Sequence, residues 1–361
     1  MNEVVRLRAL RKSMVAYQIE ALLLTHLPDV RYLSGFTGSN AALAITASKA
    51  VLFTDGRYIA QAKAETKAAR VIIAKTSALK EACAFLESAA KTAAFDPGNT
   101  TVAQLTAMRG ALTGKRRRSF FAPLDESLVA DQRMVKDADE LKAIAKSADL
   151  GNRIFLATLP HIQSGVPESE VAAGLEFFAR SMGAEAMSFE TIVASGPRSS
   201  LPHGRATSRK LPRKGFVTLD FGVILNGYCS DMTRTVHLGK PGTQERRSYD
   251  AVLAAQEAAV AAVRPGVTCG EIDEAARSIL RDAGLAKYFT HSTGHGVGLE
   301  IHENPRVAAG QTQELKSGMV ITIEPGIYLA EKFGIRIEDM VAVTDRGHKV
   351  LTPVSKTLIE L

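Results

Sequence analysis

The backbone of this chain is most tightly specified by the stretch Phe216-Val-Thr-Leu-Asp-Phe-Gly-Val-Ile-Leu-Asn-Gly-Tyr-Cys-Ser-Asp-Met-Thr-Arg-Thr-Val236. Two β-rich runs flank Asn226-Gly227, a dipeptide that is typical of a tight hairpin turn. A turn centred there pairs Gly222 with Asp231 and places Asp220 one diagonal step away on the same face. The stretch therefore predicts a β-hairpin that brings two carboxylates within reach of one ion.

A second stretch, His291-Ser-Thr-Gly-His-Gly-Val-Gly-Leu-Glu-Ile-His302, places three histidines within twelve residues. Its glycines, Gly294, Gly296 and Gly298, allow the backbone to approach a ligand closely. Neutral imidazole binds metal ions and transfers protons near neutral pH. Three histidines in one short run indicate a chemical site more strongly than any one of them alone.

Two further β segments carry acids. Met319-Val-Ile-Thr-Ile-Glu324 predicts a buried strand stopped by Pro325-Gly326. Gly334-Ile-Arg-Ile-Glu-Asp-Met-Val-Ala-Val343 predicts one more strand, whose alternation places Arg336 and Glu338 on the same face.

Together these segments supply four acids and a histidine as candidate metal ligands: Asp220, Asp231, His295, Glu324 and Glu338. A lone acid in an apolar strand is usually a strand-end or surface residue, because an unpaired buried charge is costly. Four such acids need a common partner, and two divalent cations would balance their charge. Oxygen and imidazole donors suit manganese, cobalt, iron or zinc. Two ions roughly 3.5–4 Å apart can share a hydroxide and polarise a carbonyl.

The whole-chain composition limits the class of protein. The 361 residues are 46% hydrophobic, which is ample for one large core or two ordinary ones. No apolar run approaches the roughly 20 residues that span a bilayer, and the N-terminus lacks the regions of a signal peptide. We therefore expect a cytoplasmic protein that does not bind membranes. Cys83, Cys229 and Cys269 are widely spaced and are expected to be reduced core residues.

Strands and helices alternate through residues 1–130, which predicts a small α/β domain. Within it, His26 to Asn40 is expected to be loop-rich, and Pro123 to Met134 is expected to connect it to residues 131–361. A long helix should then begin from Asp137, and either Asp137 or Asp139 can cap it. All five candidate ligands lie in the second segment.

The net charge is +7, and its densest basic run is Lys115-Arg-Arg-Arg118. Nucleic-acid binding and a solvated loop are the two interpretations of such a run. No interleaved aromatics, zinc knuckle or recognition-helix pattern accompanies it, so we favour the loop and expect no nucleic-acid partner.

The motifs in their order resemble the metallopeptidases of the prolidase and aminopeptidase P type (family M24B). The segments that carry the resemblance are Asp220-Phe-Gly222, Ser230-Asp-Met-Thr-Arg-Thr235, Gly294-His-Gly-Val-Gly-Leu-Glu-Ile-His-Glu303, Ile323-Glu-Pro-Gly-Ile-Tyr328 and Gly334-Ile-Arg-Ile-Glu-Asp339. The resemblance covers essentially the whole chain. It implies an α+β protein in which a smaller creatinase-like α/β domain, residues 1–130, precedes a pita-bread catalytic domain, residues 131–361.

The resemblance also implies roles for individual residues. Asp220 would bind one metal, Asp231 and Glu338 would bridge two, and His295 and Glu324 would complete one metal's shell. Glu324 would also shuttle the proton of the attacking water. Second-sphere positions in the family are matched by His203, His291 and His302, which would hold substrate and stabilise the tetrahedral intermediate, and by Arg336, which would steady the carboxylates.

The implied reaction is hydrolysis of the N-terminal Xaa-Pro bond by a hydroxide that bridges two divalent metal ions, with manganese favoured and cobalt, zinc or iron as alternatives. Prolidases take dipeptides, whereas aminopeptidase P also takes longer peptides; we favour the dipeptidase and keep the aminopeptidase as the alternative. Arg306 could bind the carboxylate of a dipeptide's proline or could simply be a surface residue. His291 and Tyr328 are candidate walls of a proline pocket. A non-catalytic peptide-binding relative is disfavoured because the ligand set is intact, and the family is commonly homodimeric.

Overall fold

The computed structural model describes residues 3–114 and 117–361, and its chain divides into two units, Met1–Arg133 and Met134–Leu361. Of the basic run, Lys115 and Arg116 lie outside the described residues, whereas Arg117 and Arg118 are exposed. Among the described helices, none has both the length and the apolar character needed to cross a bilayer.

The first unit is built on a six-stranded sheet of order β4-β3-β2-β1-β5-β6. Strand β2 runs antiparallel to β1 and β3, and the other pairs are parallel. The strands are β1 (Ala21–Leu24), β2 (Ala41–Thr46), β3 (Ala50–Thr54), β4 (Arg70–Ile73), β5 (Ala93–Phe95) and β6 (Phe121–Pro123). The helices are α1 (Glu3–Ala16), α2 (Leu27–Ser34), α3 (Ile59–Glu65), α4 (Ala78–Ala89), α5 (Val102–Gly110) and α6 (Leu128–Met134), the last of which ends at the unit boundary.

One expectation for this unit was wrong. Helix α2 occupies much of the segment expected to be loop, since Pro28 lies in its first turn, where the missing N–H costs nothing. Gly35 ends this helix in a left-handed conformation, φ 83°, and its N–H bonds to the Arg31 carbonyl. Helix α6 lies within the expected connector, Pro123 to Met134, and the boundary between the two units falls in the same segment.

The second unit contains four sheets and four long helices. Two three-stranded sheets have the orders β12-β9-β8 and β11-β10-β7, a five-stranded sheet has the order β14-β13-β15-β18-β19, and β16 pairs with β17. Its helices are α7 (Ala138–Thr158), α8 (Glu168–Ser181), α9 (Thr243–Ala262) and α10 (Cys269–Asp282). Its strands are β7 (Ala186–Met187), β8 (Ile192–Ser195), β9 (Gly215–Phe221), β10 (Val223–Leu225), β11 (Tyr228–Cys229), β12 (Met232–Leu238), β13 (Gly294–Gly296), β14 (Glu303–Val307), β15 (Val320–Ile323), β16 (Gly326–Leu329), β17 (Phe333–Arg336), β18 (Asp339–Thr344) and β19 (Gly347–Val350). Of the two expected caps, Asp137 is the one that caps α7.

The predicted hairpin register is confirmed. Phe221 pairs with Met232 and Leu225 pairs with Tyr228, as a turn at Asn226-Gly227 requires. Both turn residues have positive φ, 52° and 73°, which a type I′ turn needs. The hairpin is bent between β9 and β10 at Gly222, where an added Cβ would lie 1.8 Å from the Ser230 carbonyl oxygen.

The single strand expected over residues 334–343 is two strands in different sheets. Strand β17 pairs with β16, whereas β18 pairs with β15. Between them the Glu338 N–H donates to the Thr233 carbonyl at 3.1 Å, and the Arg234 guanidinium donates to the Glu338 carbonyl. Hydrogen bonds to β12 thus replace those that a continuous strand would make at Glu338, and β17 and β18 are separated there.

Candidate metal centre

The structure brings the five candidate ligands from separate strands into one cluster. Asp220 lies in β9 and His295 in β13, whereas the other three lie at strand ends, Asp231 before β12, Glu324 after β15 and Glu338 before β18. Ligand atoms of Asp231, His295 and Glu338 all lie within 4.8 Å of one another. Asp220 lies beside them, because it pairs with Thr233 in the hairpin and the Thr233 hydroxyl donates to Glu338 Oε2 at 2.8 Å.

His295 presents an unprotonated nitrogen to this cluster. Its Nδ1 lies 3.0 Å from the Gly296 carbonyl oxygen, an atom that only accepts, so Nδ1 carries the hydrogen. Burial lowers the pKa of His295 to about 4, and the ring is therefore neutral at pH 7. Its Nε2 is then an acceptor that lies 3.6 Å from both Asp231 Oδ2 and Glu324 Oε1. Three acceptors that face one another in this way fit a cation between them.

The charge on the carboxylates also indicates a site for a cation. Burial, followed by repulsion from neighbouring carboxylates, raises the pKa of Asp231 and of Glu324 well above their ordinary values, and raises the pKa of Glu338 to about 8. Asp220 Oδ1 is buried and has no hydrogen-bond partner among the described residues. A buried anionic cluster with an unsatisfied oxygen lowers its energy by binding positive charge, so the donor set fits divalent metal ions.

Arg336 ties one edge of the cluster to its surroundings. Its Nη2 contacts Asp220 Oδ2 at 2.6 Å, and its Nε donates to Thr233 Oγ1 at 3.0 Å. Its Nη1 donates to Tyr328 Oη at 2.7 Å and to the Pro202 carbonyl at 3.1 Å. The buried guanidinium therefore orients Asp220 and connects it to Tyr328.

The three other candidate histidines lie around the cluster. His291 Nδ1 faces the Ser292 carbonyl at 2.8 Å, and burial lowers the pKa of this ring to about 4, so Nε2 accepts from the Tyr328 hydroxyl at 3.0 Å. The His302 ring meets the His295 ring edge to face, with centroids 4.4 Å apart. His203 is exposed and directly follows Pro202, whose carbonyl accepts from Arg336 Nη1 at 3.1 Å.

Sequence reasoning missed residues that hold the ligands in place. Thr233 Oγ1 donates to Glu338 Oε2 at 2.8 Å, and Thr233 pairs with Asp220 in the hairpin, so the predicted register could have identified it. Arg234, almost fully buried, bonds to Asp339 at 2.7 Å. No feature of the local sequence distinguishes this ion pair from two surface charges.

The chain matches the family model described as metallopeptidase family M24 over residues 142–345, and the Creatinase/Prolidase N-terminal domain over residues 6–135. It is 35% identical over 360 residues to an Xaa-Pro dipeptidase of Pyrococcus horikoshii, with 99% of each chain covered.

Solved structures give a similar result. An Xaa-Pro dipeptidase from Bacillus anthracis is 36% identical, with a TM-score of 0.95 and 100% of both chains covered. An X-Pro aminopeptidase from Thermotoga maritima is also 36% identical, with a TM-score of 0.87 over 97% of this chain and 100% of that one. The expected fold, a creatinase-like N-terminal domain before a pita-bread catalytic domain, is confirmed. The chain belongs to metallopeptidase family M24.

Proposed function

We propose that this protein is an Xaa-Pro dipeptidase that uses two divalent metal ions, manganese first among the candidates. The observation that carries the proposal is the unprotonated His295 Nε2, which faces Asp231 and Glu324 at 3.6 Å within a cluster of four carboxylates. Asp220, Asp231, His295, Glu324 and Glu338 would hold the ions. When bound, such ions lower the pKa of water and polarise a carbonyl. A homodimer is the assembly we propose from the resemblance alone.

The surrounding side chains would move the proton and orient the substrate. Glu324 has a raised pKa because it is buried, so its carboxyl can take a proton from the attacking water and pass it to the leaving amine. His302 packs against His295, and Arg336 binds the carbonyl of the residue before His203, so both imidazoles can donate hydrogen bonds to substrate oxygens.

The proline ring requires a pocket with little polarity. The neutral His291 ring lies 5.5 Å from the Tyr328 ring and 5.1 Å from the Phe289 ring, centroid to centroid. The polar atoms of His291 are already bonded to Ser292 and Tyr328, so its faces are left for apolar contact. We propose that this aromatic group receives the proline.

Arg306 supports a dipeptidase over an aminopeptidase of longer peptides. It pairs directly with His295 across β13 and β14, and β14 lies at one edge of its sheet. Residues in direct register share a face, so the exposed Arg306 side chain leaves the sheet on the side of His295. A guanidinium there can bind the free carboxylate of a dipeptide's proline.

The test compares Ala-Pro, Ala-Pro-Ala and Ala-Ala after reconstitution with manganese. We expect Ala-Pro to be the best substrate and Ala-Ala to be resistant. Arg306→Gln should lower kcat/KM for Ala-Pro by about 10- to 100-fold, the value of a lost charge-assisted bond, and should leave Ala-Pro-Ala nearly unchanged. Arg306→Lys is the control that keeps the charge.

Equal turnover of both proline peptides, with no effect of Arg306→Gln on either, would identify an aminopeptidase of longer peptides. A metal-loaded protein that binds these peptides without cleaving any of them would identify a non-catalytic relative.

A further inference from the structure

A fully buried carboxylate, that of Glu168, anchors both ends of the segment that carries His203. Its Oε1 accepts from the backbone N–H of Ser195 at 2.9 Å and from the Ser195 hydroxyl at 2.8 Å. Its Oε2 accepts from the backbone N–H of Thr207 at 3.2 Å and from the Thr207 hydroxyl at 2.7 Å. Residues 196–206 therefore form a loop whose two ends are held by one side chain of helix α8.

Arg198 extends this anchor across the loop. Its Nε donates to Glu168 Oε2 at 3.1 Å, and its Nη2 donates to the Arg205 carbonyl at 2.5 Å. The guanidinium thus joins the buried carboxylate to a backbone carbonyl two residues after His203. A planar guanidinium makes both bonds at once, which a lysine ammonium on its flexible stem does less well.

A second guanidinium holds the other side of His203. Arg336 donates to the carbonyl of Pro202, the residue just before it, and bonds with another nitrogen to Asp220. The backbone of His203 is therefore held between two arginine–carboxylate pairs, one inside the candidate metal centre and one, Glu168–Arg198, outside it. His203 itself is exposed, so the backbone must supply much of its orientation.

We propose that the Glu168–Arg198 pair is a positioning device for His203, which sets where its imidazole meets the substrate. This inference rests on the proposed function, since His203 needs a substrate to act on. The free-energy cost of burying the Glu168 carboxylate is compensated, because donors from both ends of the loop bond to it. Removing Arg198 would release the backbone on one side of His203. A displacement of about 1 Å at a group that orients the substrate can cost as much as about 100-fold in rate.

Arg198 is the residue to change, because it is partly exposed and its loss leaves the Ser195 and Thr207 bonds of Glu168 in place. Arg198→Ala should lower kcat/KM for Ala-Pro by about tenfold or more, with metal content unchanged. In a His203→Ala background the same change should cost less than about twofold, because the positioned group is gone. Arg198→Lys should fall between the wild type and Arg198→Ala.

Arg180 offers a matched control. Like Glu168, it belongs to helix α8, and its Nη1 donates to the carbonyls of Ala184 and Glu185. Arg180→Ala removes an arginine that bonds backbone carbonyls away from the His203 loop, and it should leave kcat/KM within about twofold of the wild type, as expected for a site with no shared partners.

Trypsin supplies a readout that does not depend on activity. Cleavage after Arg205 should be faster by at least about tenfold in Arg198→Ala than in the wild type, since the loop opens more often. Equal loss of activity from Arg198→Ala with and without His203, or unchanged cleavage after Arg205, would overturn the proposal. If the metal-loaded wild type cleaves none of the peptides, the proposed function is wrong. The rate of trypsin cleavage after Arg205 then still tests whether Glu168 and Arg198 anchor the loop.

Discussion

At the scale of single residues, the cost of burying like charges together governs the site. Asp231, Glu324 and Glu338 have raised pKa values because they are buried and repel one another. Arg336 contributes only one positive charge, at Asp220. The cluster of four carboxyls is therefore strongly anionic once they ionise. A cluster of this kind is stable near neutral pH when it is protonated or binds metal.

A carboxylate oxygen of Asp231 lies within 4.8 Å of ligand atoms of both His295 and Glu338. Asp231→Asn should release bound metal and reduce hydrolysis of Ala-Pro by more than the roughly 10- to 100-fold that loss of an outer partner costs. Metal content by elemental analysis, with kinetics, checks this. Asp250→Asn, an exposed aspartate, is the control, and an Asp231→Asn protein with full metal content would contradict the assignment.

The raised pKa of Glu338 predicts a pH-dependent stability of the metal-free protein. Folding raises this pKa from 4.5 to about 8, so between these values the folded state binds more protons and stability falls as pH rises. His291 and His295 act in the opposite direction, but only below their ordinary pKa of 6.5, because burial lowers their pKa on folding. Between pH 7 and pH 9 the histidines no longer contribute. The buried thiols of Cys83 and Cys269, whose pKa burial also raises, act in the same direction as Glu338 near pH 9, so a Glu338 variant is needed to separate the carboxylate.

Urea unfolding of the chelated protein across that interval measures the effect. We expect the free energy of unfolding to fall with pH in the wild type and to fall less steeply in Glu338→Gln. A free energy of unfolding that stays constant or rises from pH 7 to pH 9 would show that the acids are not clustered as described.

At the scale of elements, close backbone approach in the hairpin positions two of the ligands. Gly222 lies opposite Asp231, and an added Cβ there would meet the Ser230 carbonyl oxygen at 1.8 Å. That contact is with backbone, so relief requires the two strands to separate. The hairpin can therefore hold Asp220 and Asp231 together only with glycine at this position.

Gly222→Ala should destabilise the protein by about 1–3 kcal/mol, as overpacking does, and should weaken metal binding by displacing Asp231. Thermal unfolding and metal titration measure both effects. Gly174→Ala in helix α8 is the control, because no atom of residues 3–114 or 117–361 lies within 4 Å of its added Cβ, and it should stabilise the protein by about 0.5–1 kcal/mol. Normal metal affinity in Gly222→Ala would show that the bend does not set the site.

At the scale of the whole molecule, the candidate ligands join two sheets of the second unit. Asp220 and Asp231 belong to the sheet of β9 and β12, whereas His295, Glu324 and Glu338 belong to the five-stranded sheet or its ends. Metal bound here should cross-link those sheets and stabilise the folded state by mass action.

Removing the metal should therefore lower the melting temperature. A free metal concentration of 100 times Kd stabilises the folded state by about 2.7 kcal/mol, which corresponds to about 5–11 °C for a unit of this size. Calorimetry with manganese and then with chelator measures the shift, and Asp231→Asn should show little of it. An equal shift in that variant would place the stabilising ion elsewhere.

The sequence by itself determined those features that depend on neighbouring residues. The Asn226-Gly227 turn set the hairpin register, Asp137 identified the start of α7, and the motifs named the five candidate ligands before any of them could be placed in space. Each depends on local backbone preference or on residues a few positions apart, which a linear pattern records directly.

Tertiary structure alone decided the features that depend on distant partners. The division between β17 and β18 follows from bonds that Thr233 and Arg234 make to Glu338, more than 100 positions along the chain. The anchor of the His203 loop joins Glu168 to Arg198 and Thr207 in the same way. Local preference at these positions is weak, and the free energy gained by pairing buried polar groups selects the structure once the chain has brought them together.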